Sequence, residues 1–337
     1  MCIRDRLQPH SRRGTRMFNA IDRNPRLRRP WRAALLAAMV VAGTAVAAQP
    51  AVAAPFDLAG WATQGGGTTG GGSASPVTVS DATAFTNAAK STSASVIRVS
   101  GTINLSSMTK VASNKTIIGV GSNAQITGSG LNVANASNVI IRNISFHDWD
   151  DDAINVQYST RVWIDHNSFA NGYDGAVDVK RASDYVTVSW NKFSSHDKTM
   201  LLGHDDGNGS EDTGKLRVTY HHNWFNGTNQ RHPRVRFGNP VHVYNNYYGG
   251  VTSYGVASTK DAGVLVEGNY FENTKDPFHR GEGSSPAANL VARSNYFVNS
   301  GAGDAGGSVK TIPYSYTLDA ASGVKSSVTS GAGVGKI

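Results

Sequence analysis

One short pattern recurs through the second half of this chain and restricts what the chain can fold into. An apolar residue is followed five positions later by Asn and two positions after that by an aromatic residue. The six copies are Val162…Asn167…Phe169, Val186…Asn191…Phe193, Val218…Asn223…Phe225, Val241…Asn246…Tyr248, Val264…Asn269…Phe271 and Leu290…Asn295…Phe297. Successive asparagines are separated by 24, 32, 23, 23 and 26 residues. Periods of this length are typical of solenoid repeats.

The composition of the repeats indicates β structure. The units are short, rich in β-branched and turn residues, and contain no ten-residue helical pattern, so each is predicted to form one coil of a parallel β-helix. Equivalent residues of neighbouring coils would then lie ~4.8 Å apart. We therefore expect an all-β solenoid in which the repeated asparagines form a hydrogen-bonded ladder and the aromatic residues form an internal stack. Residues 81–90, which begin with a capping Asp, are predicted to form one short N-terminal helix.

The first 53 residues are predicted to be a leader and not part of this fold. Basic residues in 26–32 precede an apolar run over 33–48 and a small-x-small motif, the pattern of a secretory signal peptide. A membrane span fits less well, because the run is short and no basic cluster follows it. We expect cleavage near Ala53 or Ala54, and secretion.

The mature chain predicted in this way has no charge bias. Residues 1–53 hold ten of the 32 Lys and Arg and two of the 24 Asp and Glu, which leaves 22 of each sign and gives no ground for a nucleic-acid or membrane partner. The single cysteine, Cys2, is removed as well. We expect Met17 to be the true start, residues 54–76 to be a Gly/Ser/Thr-rich linker, and residues 77–337 to form a monomeric β-helix domain.

The repeat period also predicts where the charged residues lie in the solenoid. Asp152 and Arg231 each lie ten residues before the apolar marker of their repeat, so both map to the same sheet. One period of 24 residues places Asp150 over Asp174 and places Asp152 between Asp174 and Asp178. Four crowded carboxylates need protons or a cation, and an oxygen-only set of ligands fits Ca²⁺. The alternative is a polar loop around Asp150 with Asp174 in a turn.

A lysine is predicted to lie between the acidic and basic groups. Lys198 precedes the strand predicted over 200–202, on the coil between Asp178 and Arg231. Two coils, roughly 10 Å, would separate these two residues along the axis. The 32-residue spacing indicates an insertion in this coil, over residues 205–213.

Four motifs in this order resemble the pectate lyases of polysaccharide lyase family 1, over roughly residues 77–337. They are Val162-Trp-Ile-Asp-His166, Asp174-Gly-Ala-Val-Asp178, His196-Asp-Lys198 and Arg231-His-Pro-Arg-Val-Arg236. The resemblance implies a right-handed, single-stranded parallel β-helix that cleaves polygalacturonate by Ca²⁺-dependent β-elimination.

The resemblance also implies roles for individual residues. It assigns the calcium ligands to Asp150, Asp152, Asp174 and Asp178, the catalytic base to Arg231, and substrate binding to Lys198 and Arg236. For Trp163, Asp165 and His166 we expect a structural role, because they lie in a repeat strand away from the charged residues.

Three other functions fit the same scaffold. A hydrolase similar to polygalacturonase would use paired carboxylates, either Asp151 with Asp152 or Asp205 with Asp206, and would not need calcium. A pectin lyase would act on methylated substrate, and the aspartates argue against it. A non-catalytic polyuronate-binding solenoid would not need Arg231.

Overall fold

The computed structural model describes residues 58–337, in which the strands wind into a solenoid of three parallel sheets. Each full coil contributes one strand to each sheet in turn, so strands that are adjacent in a sheet belong to successive coils. The predicted all-β parallel β-helix is confirmed. The predicted leader lies outside the described residues.

Strands and helices are numbered in chain order. Sheet A contains β1 (Pro76–Val79), β2 (Ser95–Val99), β5 (Lys115–Gly119), β8 (Ser137–Arg142), β11 (Thr160–Asp165), β14 (Asp184–Ser189), β17 (Val218–His221), β20 (Val241–Tyr244), β23 (Gly263–Glu267) and β26 (Asn289–Arg293). Sheet B contains β3 (Thr102–Asn104), β6 (Gln125–Gly128), β9 (Ser145–Trp149), β12 (Ser168–Ala170), β15 (Lys192–Ser194), β18 (Trp224–Asn226), β21 (Tyr247–Gly249), β24 (Tyr270–Glu272) and β27 (Tyr296–Val298). Sheet C contains β4 (Thr109–Lys110), β7 (Leu131–Ala134), β10 (Ile154–Gln157), β13 (Val177–Lys180), β16 (Leu201–Leu202), β19 (Arg234–Arg236), β22 (Val256–Thr259) and β25 (Phe278–Arg280). The helices are α1 (Ala82–Lys90), α2 (Gly209–Asp212) and α3 (Val324–Gly331), with short 3₁₀ turns at Gly60–Thr63 and Ala321–Gly323.

The repeated asparagines form the predicted ladder. Each side-chain amide donates to the side-chain oxygen of the Asn in the next coil, at 3.0–3.1 Å, from Asn167 through Asn295. The same oxygens accept the backbone N–H of the Asn in the preceding coil at 2.9–3.1 Å. The members from Asn167 to Asn269 are fully buried, so the ladder satisfies polar groups that water cannot reach.

The aromatic residues two positions later form a stack inside the solenoid. Ring centroids of successive coils are 4.4–5.4 Å apart from Phe146 to Phe297, close to the spacing of parallel strands. The stack lies beside β-branched and leucine side chains that point inward from all three sheets. Phe297 ends the stack and is 39% exposed.

The predicted N-terminal helix is confirmed as α1. Asp81 is its N-cap, and its carboxylate accepts from the N–H of Ala84 at 2.9 Å, which satisfies one of the free donors of the first turn. Phe85 and Ala89 are buried on the side that joins the core. The predicted insertion over residues 205–213 is the loop that carries α2. Within residues 58–337, no helix is long and apolar enough to cross a membrane.

Where the sequence predicts a linker, residues 58–75 lie against the outer face of sheet A. Trp61 is buried, and its backbone N–H donates to the Thr219 hydroxyl at 2.9 Å. Gly70 approaches the sheet so closely that an added Cβ would lie 2.1 Å from the Thr116 hydroxyl, and its φ of 59° also favours glycine. The glycines of this segment therefore permit close packing.

Candidate active site

Sheet C carries the charged residues that the sequence analysis identifies. Along this sheet Val179 of β13 pairs with Leu202 of β16, and Leu202 pairs with Val235 of β19. These three residues are buried in the core, so their neighbours Asp178 and Arg234 point outward from strands that are two positions apart. Acidic and basic side chains thus share the outer face of one sheet, ~10 Å apart along the axis.

Arg231 lies on the same wall, in the segment that leads into β19. Its carbonyl accepts from the N–H of Met200 at 2.8 Å. The backbone of the adjacent Gln230 forms a parallel β-bridge with that of Lys198. Arg231 has a left-handed backbone conformation with a φ of 64°, which residues other than glycine rarely adopt. Its Nε is buried and has no hydrogen-bond partner among residues 58–337. The guanidinium therefore has a donor left for a ligand.

His232 fixes the segment that carries Arg231. The Nδ1 atom of His232 lies 2.9 Å from the Tyr254 carbonyl, and its Nε2 lies 2.8 Å from the Thr228 hydroxyl. A carbonyl can only accept, so Nδ1 carries the proton and Nε2 accepts from Thr228. Burial lowers the pKa of His232 to about 3, and the ring stays neutral at the pH values in which proteins work. His232 thus fixes the backbone beside Arg231 through its hydrogen bonds and does not transfer a proton in the reaction.

Three carboxylates meet in the segments that lead into β10 and β13 of sheet C. Asp151, Asp152 and Asp174 place oxygen atoms within 4.8 Å of one another. Asp152 is buried, Asp174 is half-buried and Asp151 is exposed. Asp150, and not Asp151, was expected in this group from the sequence, but Asp150 is exposed and lies outside it. The donors are all carboxylate oxygens, the ligand type that Ca²⁺ prefers.

A lysine bridges this group to Asp178. The Nζ atom of Lys180 is 2.8 Å from Asp152 Oδ2 and 3.4 Å from Asp178 Oδ2. Backbone groups hold both carboxylates, because the N–H of Gly175 donates to Asp152 at 3.0 Å and the N–H of Leu201 donates to Asp178 at 3.1 Å. Lys180 was assigned no role from the sequence, although strand alternation places it on the same face as Asp178.

Burial, with repulsion from neighbouring carboxylates, disfavours the ionised form of Asp152 and Asp178. Burial raises the pKa of Asp152, although Lys180 opposes the shift. Burial, and then the charge of Asp152, raise the pKa of Asp178 to about 7 against the opposing effects of Lys180 and Arg231. Although burial alone would lower it, the two carboxylates raise the pKa of Lys180. One ammonium does not balance the buried carboxylates, so a further cation would stabilise the site.

Lys198 faces the same group from the next coil. Its Nζ lies 3.2 Å from Asp174 Oδ1, and the two side chains are 35% and 38% exposed. A pair this exposed contributes ~0–1 kcal/mol, so Lys198 can exchange Asp174 for an anionic ligand. The ring of His196 packs at a tilt against Trp149, with ring centroids 4.9 Å apart. It donates through Nε2 to the Lys198 carbonyl at 3.1 Å and fixes this backbone.

The two arginines of β19 are held by loops on either side. Arg236 donates through Nε to Asp206 at 2.6 Å and through Nη1 to the Gly203 carbonyl at 3.3 Å. Ser285 donates to the same Asp206 carboxylate at 2.8 Å and accepts from Arg234 at 3.0 Å. Burial and the neighbouring Arg236 lower the pKa of Arg234. Arg236, expected to bind substrate, therefore forms an ion pair with Asp206 on the outer face of sheet C.

The residues expected to be structural lie on sheet A, away from this wall. Asp165 is buried and accepts from Ser189 at 2.7 Å, while His166 Nδ1 lies 2.6 Å from its other oxygen. The Trp163 ring donates to the Ser189 hydroxyl at 2.9 Å. This polar cluster joins adjacent strands of sheet A and does not contact the carboxylates of sheet C.

Comparisons with known proteins agree on one family. A family profile described as pectate lyase matches residues 32–337. A probable pectate lyase A of Aspergillus flavus is 42% identical over 266 residues, which cover 76% of this chain and 81% of that protein. A pectate trisaccharide-lyase of Bacillus licheniformis is 40% identical over 260 residues, which cover 72% of this chain and 74% of that protein.

Solved structures share the architecture. A Bacillus pectate lyase in complex with trigalacturonate is 35% identical with a TM-score of 0.76, and the match covers 83% of this chain and 99% of that one. Pectate lyase II of Xanthomonas campestris is 27% identical with a TM-score of 0.70, and the match covers 83% of this chain and 98% of that one.

Proposed function

Because the chain belongs to the pectate lyase family and is a polysaccharide lyase, we propose that it is a secreted enzyme that cleaves α-1,4-linked polygalacturonate by Ca²⁺-dependent β-elimination. The products would be 4,5-unsaturated oligogalacturonides. The substrate assignment is supported by the related Bacillus structure, which holds trigalacturonate.

The observation that carries this proposal is the arrangement of sheet C. Buried carboxylates with raised pKa values and a guanidinium with an unpartnered donor lie on one wall, two strands apart. A polyanion along this wall would reach both at once, since ~10 Å separates them. Neither group has a comparable use in a purely structural solenoid, where buried unpaired charge and unpaired donors cost stability.

The residues present fit a calcium ion. Asp152, Asp174 and Asp178 would hold it, together with either Asp150, as the sequence suggests, or Asp151, whose oxygen lies within the group. When bound, Ca²⁺ would neutralise these carboxylates and withdraw electrons from the C5 carboxylate of galacturonate, which acidifies the C5 proton.

The protein side chains would do the rest. Lys198 and Arg236 bind carboxylates of the substrate, and Arg231, as the neutral guanidine, accepts the proton from C5. As the C5–H bond breaks, a double bond forms between C4 and C5 and the C4–O bond to the next sugar breaks. The departing oxygen takes up a proton from solvent, and Arg231 later returns to solvent the proton that it holds. No water is consumed, so no pair of carboxylates is needed as acid and base.

Of the two carboxylate pairs that a hydrolase could use, Asp205 with Asp206 is disfavoured by the state of Asp206. Although burial opposes it, the hydrogen bond from Arg236 lowers the pKa of Asp206. A general acid of a glycosidase needs a raised pKa, so that it carries a proton to the leaving oxygen. The lowered pKa of Asp206 instead favours its ionised form, which carries no proton to donate.

Arg231→Lys tests the role of the guanidinium. We expect the variant to fold, with an unchanged denaturant midpoint, but to lose about 10²–10⁴-fold in turnover, the contribution of a positioned general base. Product formation is followed by the ultraviolet absorbance of the unsaturated sugar on polygalacturonate with Ca²⁺. Arg98→Lys, at an exposed position on sheet A, is the matched control and should keep full activity. An Arg231→Lys variant as active as this control would overturn the assignment.

A further inference from the structure

The insertion over residues 205–213, in the coil that contains β16, contacts the outward arginines of β19. Asp206 Oδ1 accepts from Arg236 Nε at 2.6 Å and from the Ser285 hydroxyl at 2.8 Å. The Ser285 oxygen in turn accepts from Nη2 of Arg234 at 3.0 Å and from Nη2 of Arg236 at 3.4 Å. A hydroxyl has one hydrogen and two lone pairs, so these three bonds satisfy Ser285 completely. Asp206 and Ser285 together therefore hold both arginines.

The insertion is itself fixed against the turn that follows β13. Asp212 is fully buried, and its carboxylate accepts from the N–H of Ala182 at 2.7 Å. The neighbouring Glu211 accepts from Nη1 of Arg181 at 3.3 Å. A loop anchored in this way holds Asp206 at one place, and a fixed carboxylate fixes the guanidinium that it binds.

Arg236 keeps two donors for a ligand. Of the five N–H groups of its guanidinium, the one on Nε binds Asp206, one on Nη1 binds the Gly203 carbonyl, and one on Nη2 binds Ser285. Within residues 58–337 these bonds leave one N–H on each η nitrogen without a partner. Two neighbouring N–H groups of this kind form the fork that binds a carboxylate in a bidentate manner. The side chain is 11% exposed, so the fork has little freedom to turn away.

Asp206 also offsets like charge on β19. Arg234 and Arg236 lie on the same face of this strand, on either side of the buried Val235, and their guanidinium groups repel each other. Among residues 58–337, Asp206 is the carboxylate that forms an ion pair with Arg236. Loss of this carboxylate should therefore release Arg236 from its position.

We propose that Asp206 is a positioning residue: together with Ser285 it holds Arg236 so that the two remaining N–H groups meet a carboxylate of the galacturonate chain. This inference rests on the proposed function, in which Arg236 binds substrate, and it gives the insertion a role in that function. Because these bonds form when the substrate binds, loss of the positioning should raise KM more than it lowers kcat.

Asp206→Ala tests the positioning on polygalacturonate in saturating Ca²⁺. We expect KM to rise about two- to tenfold, the effect of ordering one long side chain on binding, and kcat to change by less than about twofold. Asp304→Ala is the control and should leave KM unchanged, because Asp304 forms a second pair of the same kind, accepting from Nε and Nη2 of Arg280 at 3.1 and 2.9 Å. Asp206→Asn, which keeps the shape of the side chain, gives the same comparison if the alanine variant does not fold.

A double-mutant cycle shows whether Asp206 acts through Arg236. In Arg236→Ala there is no guanidinium to position, so adding Asp206→Ala should change KM by less than about twofold. An equal rise of KM with and without Arg236 would show that Asp206 only supports the fold, and would overturn the inference. So would an unchanged KM in Asp206→Ala, or a lower one, which would mean that Asp206 competes with substrate for Arg236. Absence of unsaturated product from the unmodified protein would overturn the proposed function itself, and the inference with it.

Discussion

Asn223 in the middle of the ladder gives the most direct access to the energetics of this fold. Its Oδ1 accepts from the backbone N–H and the side-chain amide of Asn191, both at 3.1 Å. Its Nδ2 donates to the Val188 carbonyl at 2.9 Å and to Asn246 at 3.0 Å. The residue is fully buried, so water cannot replace these partners.

In Asn223→Ala the two donors of Asn191 lose their shared acceptor. Each buried group left unsatisfied costs ~1–3 kcal/mol, so we expect the free energy of unfolding to fall by roughly 2–6 kcal/mol. Guanidinium chloride titrations followed by far-ultraviolet circular dichroism measure this change from the midpoint and slope. Asn226→Ala, at an exposed position of the same coil, is the control and should change stability by less than ~0.5 kcal/mol. Equal midpoints for the two variants would refute the view that the ladder stabilises the solenoid.

Two further predictions concern the acidic group. Folding raises the pKa of Asp178 from an ordinary value near 4 to about 7, so its carboxyl favours the folded state when protonated and this stability is lost as pH rises from ~4 to ~7. In EGTA, thermal unfolding should therefore show that the free energy of unfolding of Asp178→Asn, relative to that of the unmodified protein, rises with pH across that window, by at most roughly 4 kcal/mol. Added Ca²⁺ should cancel this rise. A difference between the two proteins that stays constant with pH would contradict the prediction. In Gly175→Ala the new Cβ would lie 2.3 Å from Asp178 Oδ1 and 2.8 Å from Asp152 Oδ1, so calorimetry should show weaker Ca²⁺ binding, whereas Gly323→Ala, with open space around its Cβ, should bind normally. Equal calcium affinities in the two alanine variants would contradict the proposed ligand set.

The features that repeat along the solenoid axis could be predicted from the sequence. Stacking places each coil one strand spacing above the last, so a recurring Asn such as Asn191 must meet its own copy, and Phe193 must stack on Phe169. The same translation predicted that Asp152 and Arg231 belong to one sheet, because each lies ten residues before the apolar marker of its repeat.

The features that do not repeat could not be read in this way. The loop before β10 follows no period, and a shift of one residue there exchanges Asp150 for Asp151 in the carboxylate group. Lys180 lay on the correct face, but its bridging of two carboxylates depends on a side-chain conformation that spacing does not reveal. Residues 58–75 have the composition of a linker, but contacts such as those of Trp61 and Gly70 hold them against sheet A.

Calcium dependence of product formation tests the central claim most directly. After dialysis against EGTA, the purified protein is mixed with polygalacturonate, and both ultraviolet absorbance and new reducing ends are recorded before and after addition of CaCl₂. We predict that neither signal develops in EGTA and that CaCl₂ restores both in equal molar amounts. New reducing ends without absorbance, or full activity in EGTA, would contradict the account.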